Sequence, residues 1–166
     1  MNKYYDGYGL IWDGKFTKPV KKMYTKEQVE FRFMGIKGDL KKKIKKIENV
    51  TCLNEDEESV KKFLSKLDVF LFFPDWRREE PWSRAVAEGI VVGCPVIALD
   101  RGGTKDQVLK HNNGFLCKRY NDYFKHVIYF LEHKEMIEIM SKNSIRIAQD
   151  FYTERVIGKL VKIIGG

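Results

Sequence analysis

The feature that most constrains the fold is the alternation of short apolar runs with segments of helical periodicity. Two of the runs, Val69–Phe73 and Pro95–Leu99, are unbroken, which is typical of parallel strands covered by helices on both faces. Val29–Met34 mixes β-branched and aromatic residues and stops at Gly35, which also indicates a strand. Strands that alternate with helices form βαβ units, so the sequence predicts an α/β fold with a mostly parallel sheet.

The remaining elements follow from the same patterns. Helical stripes are formed by apolar residues three or four positions apart, as in Leu40, Ile44 and Ile47. Helices are predicted over Asp39–Ile47, Asp56–Leu67, Pro81–Val92, Thr104–Lys110 and, in about three segments broken near His133 and Asp150, over about 121–164. Further strands are predicted over Gly9–Trp12, Val50–Leu53 and Gly114–Cys117. The sequence therefore predicts one Rossmann-like, three-layer domain over residues 1–166.

Composition excludes several other classes of protein. Of the 166 residues, 43% are apolar and 33% are charged, which is typical of a globular domain and excludes a disordered chain. The three cysteines are far apart and form no CxxC pair, which favours a reducing compartment over a disulfide framework. The N-terminus has no apolar leader, and no apolar run approaches the ~18 residues of a membrane span. We therefore expect a cytoplasmic protein and leave peripheral contact with a membrane open.

The net charge of +8 predicts attraction to phosphates, in a nucleotide, a nucleic acid or an anionic lipid. The cluster of five lysines at positions 41, 42, 43, 45 and 46 lies opposite the predicted apolar stripe and is best interpreted as a solvated helix face. No aromatic platform for base stacking lies near it, so binding of nucleic acid is disfavoured.

The segment after Val69–Phe73 is the richest candidate site, because ligands bind beyond the carboxyl ends of parallel strands. It reads PDWRREEPWSRAVAE, and Pro81 suits the first position of a helix. The backbone N–H groups of Trp82, Ser83 and Arg84, with the positive end of the helix dipole, would form a diphosphate site. Glu80 and Glu88 would lie ~12 Å apart along that helix, about the span of a ribose–diphosphate–hexose unit, although such spacing is also common on solvated helices.

Four motifs follow one another in this half of the chain: Glu80…Glu88, GCPVIA at 93–98, GGTKD at 102–106 and NGFL at 113–116. In this order they resemble the C-terminal, donor-binding half of group 1 glycosyltransferases of the GT-B fold. The resemblance implies that Glu80 hydrogen-bonds the donor sugar and that Glu88 holds the ribose hydroxyls. It also implies that the diphosphate meets the amides of residues 82–84.

Two further groups take roles from the resemblance. Lys15 and Lys18, in GKFTK, stand where the family has an arginine–lysine pair, and would bind phosphate as point charges. Gly102 and Gly103, with Thr104, would form a tight turn close to the donor, although a plain strand–helix turn is an equal alternative.

The resemblance implies a retaining enzyme that uses a UDP- or GDP-type sugar with no metal and no other cofactor. The family has two halves, so the acceptor domain is expected to be absent from this chain or supplied by a partner chain, and no catalytic residue is assigned here. Two other classes of function remain open: a non-catalytic module that binds a nucleotide or a partner, and a basic protein of nucleic acid or membrane surfaces.

Overall fold

The structure is a computed structural model that describes residues 29–47, 49–72, 80–108 and 112–151. Its strands are β1 (Phe31–Met34), β2 (Val50–Leu53), β3 (Phe70–Phe72), β4 (Val96–Leu99) and β5 (Gly114–Cys117). Its helices are α1 (Gly38–Ile44), α2 (Val60–Leu64), α3 (Arg84–Val91), α4 (Thr104–Gln107), α5 (Tyr120–Glu132) and α6 (Lys134–Ala148), followed by a 3₁₀ turn, Gln149–Phe151. The predicted strand Gly9–Trp12 and the candidates Lys15 and Lys18 lie outside these residues.

Every pair of neighbouring strands in the described residues is parallel, which confirms the predicted α/β class. β1 pairs with β2, and β4 lies between β3 and β5. The strands thus form two sheets where one was predicted. A cavity of about 710 Å³, lined by residues of both β1 and β3, lies between the sheets. One hydrophobic core nevertheless includes residues of both, with Phe31 and Phe33 joining Ile97 and Leu99.

Burial differs between the two unbroken apolar runs. All four residues of β4 are buried, as the sequence predicts. All three residues of β3 are only half-buried, so the prediction of cover on both faces is wrong for this strand. The physical reason is position: β4 is flanked by two strands, whereas β3 is at the edge of its sheet beside the cavity.

Two helices, α2 and α3, begin later than predicted because a serine further along the chain caps each of them. α2 begins after Ser59, whose hydroxyl accepts the N–H of Lys62, and Val60 is 47% exposed where the periodicity predicts burial. The C-terminal helices break at His133 and again where the 3₁₀ turn begins, as predicted. None of the helices in the described ranges is long and apolar enough to cross a membrane.

Candidate functional site

The N-terminus of α3 lies at the centre of the predicted site, and it begins later than the sequence indicates. Ser83 is the N-cap residue in an extended conformation, and its hydroxyl accepts the N–H of Val86 at 3.5 Å. Pro81 therefore lies outside the helix, two residues before its N-cap, although proline suits the first helical position. The first turn contains no acidic residue and starts with Arg84, so no carboxylate of this turn offsets the positive end of the dipole.

A pair of hydrogen bonds ties this helix start to α4. The N–H of Ser83 donates to Oε1 of Gln107 at 3.1 Å, and Nε2 of Gln107 donates to the Ser83 carbonyl at 2.9 Å. Both residues are buried. The Ser83 amide is thus engaged within the protein, in contrast to its predicted place among the free donors. Gln107 was missed because a single glutamine beside Val108 has no signal in the sequence.

Gly102 and Gly103 lie against the backbone of the preceding loop. The N–H of Gly103 donates to the Glu80 carbonyl at 2.9 Å. A Cβ atom at Gly102 would overlap the carbonyl oxygen of Glu80, and one at Gly103 would overlap that of Pro81. Gly102 also has a positive φ of 52°. The glycine pair is therefore needed for the close approach of the two loops, and its proximity to a donor stays a prediction.

Thr104 uses its hydroxyl inside the fold. The Oγ1 atom lies 2.6 Å from the Leu99 carbonyl and 2.5 Å from that of Arg101, and the residue is buried. The N-cap residue of α4 is Gly103, so the Thr104 hydroxyl does not cap this helix. The hydroxyl donates backward to the end of β4 and thereby fixes α4 to that strand.

The two glutamates do not share a helix. Glu80 precedes Arg84 by four residues, so the predicted axial separation does not apply. Glu88 lies one turn into α3, where its Oε1 atom is 3.4 Å from Nε of Arg84. An exposed pair with the arginine on the N-terminal side contributes little to stability. Glu88 also lines a cavity of about 280 Å³ with residues of β1 and β3.

Trp82 packs edge-on against Phe151 at a centroid distance of 5.1 Å and an interplanar angle of 88°. Half of its surface is exposed, so the ring joins the loop to the end of the C-terminal helices and still has a free face. The structure therefore brings together residues 80–84 and 102–104, with Glu88 one helical turn away. The roles of these residues toward a ligand remain predictions.

The fold and motifs agree with the comparison to known families. Residues 16–147 match the family of glycosyl transferases group 1. The match covers most of the chain, and the protein belongs to this family.

Two curated relatives are trehalose synthases, one from Thermococcus litoralis and one from Pyrococcus furiosus. Each is 30% identical to this chain over 122 residues, which is 73% of this chain and 28% of the relative. The aligned part of the chain thus spans little more than a quarter of the length of these relatives.

Proposed function

We propose that this domain binds a nucleoside-diphosphate sugar at the carboxyl ends of β3 and β4 and presents the sugar for transfer to an acceptor hydroxyl. The observation that carries the proposal is the N-terminus of α3. It is fixed by buried hydrogen bonds, it has no acidic residue in its first turn, and it starts with an exposed arginine. A polyanion is the chemical complement of such a helix end.

The diphosphate would lie on the first turn of α3. Helices leave their first N–H groups without partners inside the helix. Within the part of the chain that the structure describes, the amides of Trp82, Arg84 and Ala85 donate no hydrogen bond, while that of Ser83 donates to Gln107. The guanidinium of Arg84, 92% exposed, can add a charge-assisted hydrogen bond. These groups would therefore meet the phosphate oxygens, with Lys15 and Lys18 as further cations.

The two carboxylates would hold the ends of the donor. Glu88 faces the cavity that also contains residues of β1 and β3, and we assign it to the ribose hydroxyls. Glu80 would accept from hydroxyls of the transferred sugar. Its main chain is fixed by the hydrogen bond from Gly103, so its side chain projects from a defined point.

The chemistry would be retaining and would need no metal. The bond between sugar C1 and the phosphate oxygen breaks, and negative charge develops on the departing diphosphate. The acceptor oxygen forms a bond to C1 on the face that the diphosphate leaves, and the proton of the acceptor hydroxyl passes to the departing phosphate oxygen. The amides of α3 and the nearby cations would stabilise the developing charge without reorganising, which is the main electrostatic device of enzymes.

We further propose that the acceptor is held by residues outside this sequence, in another domain or a partner chain. Transfer needs both reactants in contact at fixed orientation, and the site described here accounts for the donor. The relatives named trehalose synthase make a hexosyl donor and a sugar acceptor the first pair to test in a turnover assay.

Calorimetry with UDP, GDP, uridine and guanosine tests the proposed site. The diphosphates should bind more tightly than the nucleosides, and less tightly at high salt. Glu88→Ala should lose ~1.5–3 kcal/mol of nucleotide affinity, as expected for a hydrogen bond to a charged group.

Glu138→Ala is the matched control, because Glu138 is also a helical carboxylate in an exposed i,i+4 ion pair, with Lys142 at 2.7 Å. A folded Glu88→Ala variant with unchanged affinity would exclude the ribose role. Equal affinities for diphosphate and nucleoside would exclude the phosphate site.

A further inference from the structure

The side chain of Gln107, at the end of α4, is fully buried. Its amide oxygen and its amide nitrogen both form hydrogen bonds with the main chain of one residue, Ser83. We propose that Gln107 is a positioning residue that orients the first turn of α3 toward the diphosphate. This inference rests on the proposed function of the site and names the residue that sets its geometry.

The hydrogen bonds of Ser83 show why Gln107 controls the start of the helix. The Ser83 carbonyl accepts both Nε2 of Gln107 and the N–H of Ala87, at 2.9 and 3.1 Å. The second of these is the first hydrogen bond of α3. Gln107 therefore donates to the same carbonyl oxygen that accepts the first hydrogen bond of the helix, and a shift of this side chain would tilt the first turn.

The other end of this connection is fixed to the most buried strand. The Thr104 hydroxyl donates to carbonyls at and just beyond the end of β4, and the Gln107 N–H donates to the Gly103 carbonyl at 3.3 Å. β4 is buried at all four positions. Gln107 thus connects the start of α3 to β4 through α4. Because it accepts the Ser83 N–H, that amide is not available to a ligand.

A positioning role and a purely structural role have different consequences. If Gln107 only stabilises the fold, its loss lowers stability and affects all ligands equally. If it orients the first turn of α3, its loss weakens binding of the diphosphate and leaves binding of the nucleoside unchanged. The ratio of the two dissociation constants separates the alternatives.

The first variant is Gln107→Met, which keeps an unbranched side chain of similar length and removes both hydrogen bonds. We expect the preference for UDP or GDP over the matching nucleoside to fall about tenfold, the equivalent of one lost hydrogen bond to a charged group. Ser144→Ala is the control, because the buried Ser144 hydroxyl donates to the Cys94 carbonyl at 2.8 Å, within the fold. It should lower the melting temperature and keep the wild-type preference.

Gln107→Glu is the second variant, and it can restore both hydrogen bonds to Ser83 when its carboxyl group is protonated. It also tests the inference if Gln107→Met is too unstable to fold. A protonated carboxyl group can accept from the Ser83 N–H and donate to its carbonyl, whereas a carboxylate can only accept. Burial raises the pKa of a carboxyl group, so we expect the glutamic acid to be protonated near pH 5 and ionised near pH 8. The preference of the variant for diphosphate over nucleoside, divided by that of the wild type, should therefore be close to one near pH 5 and lower near pH 8.

Two results would overturn the inference. The first is a Gln107→Met variant that keeps the wild-type preference for the diphosphate. Alternatively, the preference of Gln107→Glu, divided by that of the wild type, does not change with pH. Either outcome would leave Gln107 with a purely structural role while the proposed function stands. A wild-type protein with no preference for the diphosphate would contradict both proposals.

Discussion

The region from β3 to β5 and the region from β1 to α2 hold their loops by different means. In the first, buried side chains of Ser83, Thr104 and Gln107 bond directly to the main chain. In the second, an exposed ion pair, Lys37–Glu55 at 3.2 Å, joins the loops, and a further exposed pair, Lys42–Asp39 at 3.4 Å, lies within α1. Buried hydrogen bonds fix positions far better than mobile surface charges do.

The charges buried in the region from β1 to α2 reinforce this contrast. Arg32 and Glu58 lie 3.7 Å apart with side chains 19% and 6% exposed, and both the Nε atom of Arg32 and Oε1 of Glu58 are buried without a hydrogen bond. Glu30 and Lys66 also pair with members of this group. Incomplete hydrogen bonding of buried charge costs stability. The region from β3 to β5 also contains unpaired buried atoms, Nδ2 and Oδ1 of Asn113, but these belong to an uncharged side chain.

The largest expected effect comes from adding one methyl group to a glycine in each region and comparing the losses of stability. Gly103→Ala would place its Cβ on the Pro81 carbonyl, and we expect a loss of about 3 kcal/mol or more in the free energy of unfolding. Gly38→Ala is the matched control, since Gly38 has a φ of +66° but nothing near its Cβ position, and it should lose about 1 kcal/mol. Urea unfolding of both variants measures the difference, and equal losses would contradict the close approach of the two loops.

An intermediate effect should appear on acidification, at the contact between β5 and α5. The imidazole of His126 stacks on Phe115 at 4.3 Å with an interplanar angle of 6°, and burial lowers the pKa of His126 below its ordinary value of 6.5, against the opposing charge of Asp122. The unfolded chain therefore binds more protons, and the stability present above pH 6.5 should decline as the pH falls through that value.

His126→Phe keeps an aromatic ring on Phe115 and removes the titrating group. The decline in the free energy of unfolding between pH 7 and pH 5 should be smaller in this variant than in the wild type. Urea titrations at both pH values measure it. An unchanged decline would show that other groups cause the acid sensitivity.

The smallest effect is expected in the region from β1 to α2. Lys42 is 79% exposed and pairs with Asp39, itself 84% exposed. Lys42→Ala should change the free energy of unfolding by less than about 0.5 kcal/mol, because exposed ion pairs contribute little. Denaturation at low and high salt checks this, and a loss comparable to that of Gly103→Ala would remove the contrast between the two regions.

The sequence alone determined the fold class and family of this protein. The unbroken run at β4 indicated a buried parallel strand, and the structure has one. The ordered motifs from Glu80 to Leu116 indicated a group 1 glycosyltransferase domain, which the family match confirms. Such features are local in the chain, so they can be identified without knowledge of long-range contacts. The predicted ligand roles of Glu80, Glu88 and the α3 amides remain predictions.

Only the tertiary structure decided how the site is held. It moved the helix start from Pro81 to Arg84, placed Glu80 outside the helix, and paired Ser83 with Gln107, 24 residues further along the chain. A glutamine side chain can satisfy almost any buried backbone pair, so its partner cannot be identified from spacing. The partner is chosen by the approach of two loops at the ends of adjacent parallel strands, which the glycines at 102 and 103 permit and which no periodicity in the chain encodes.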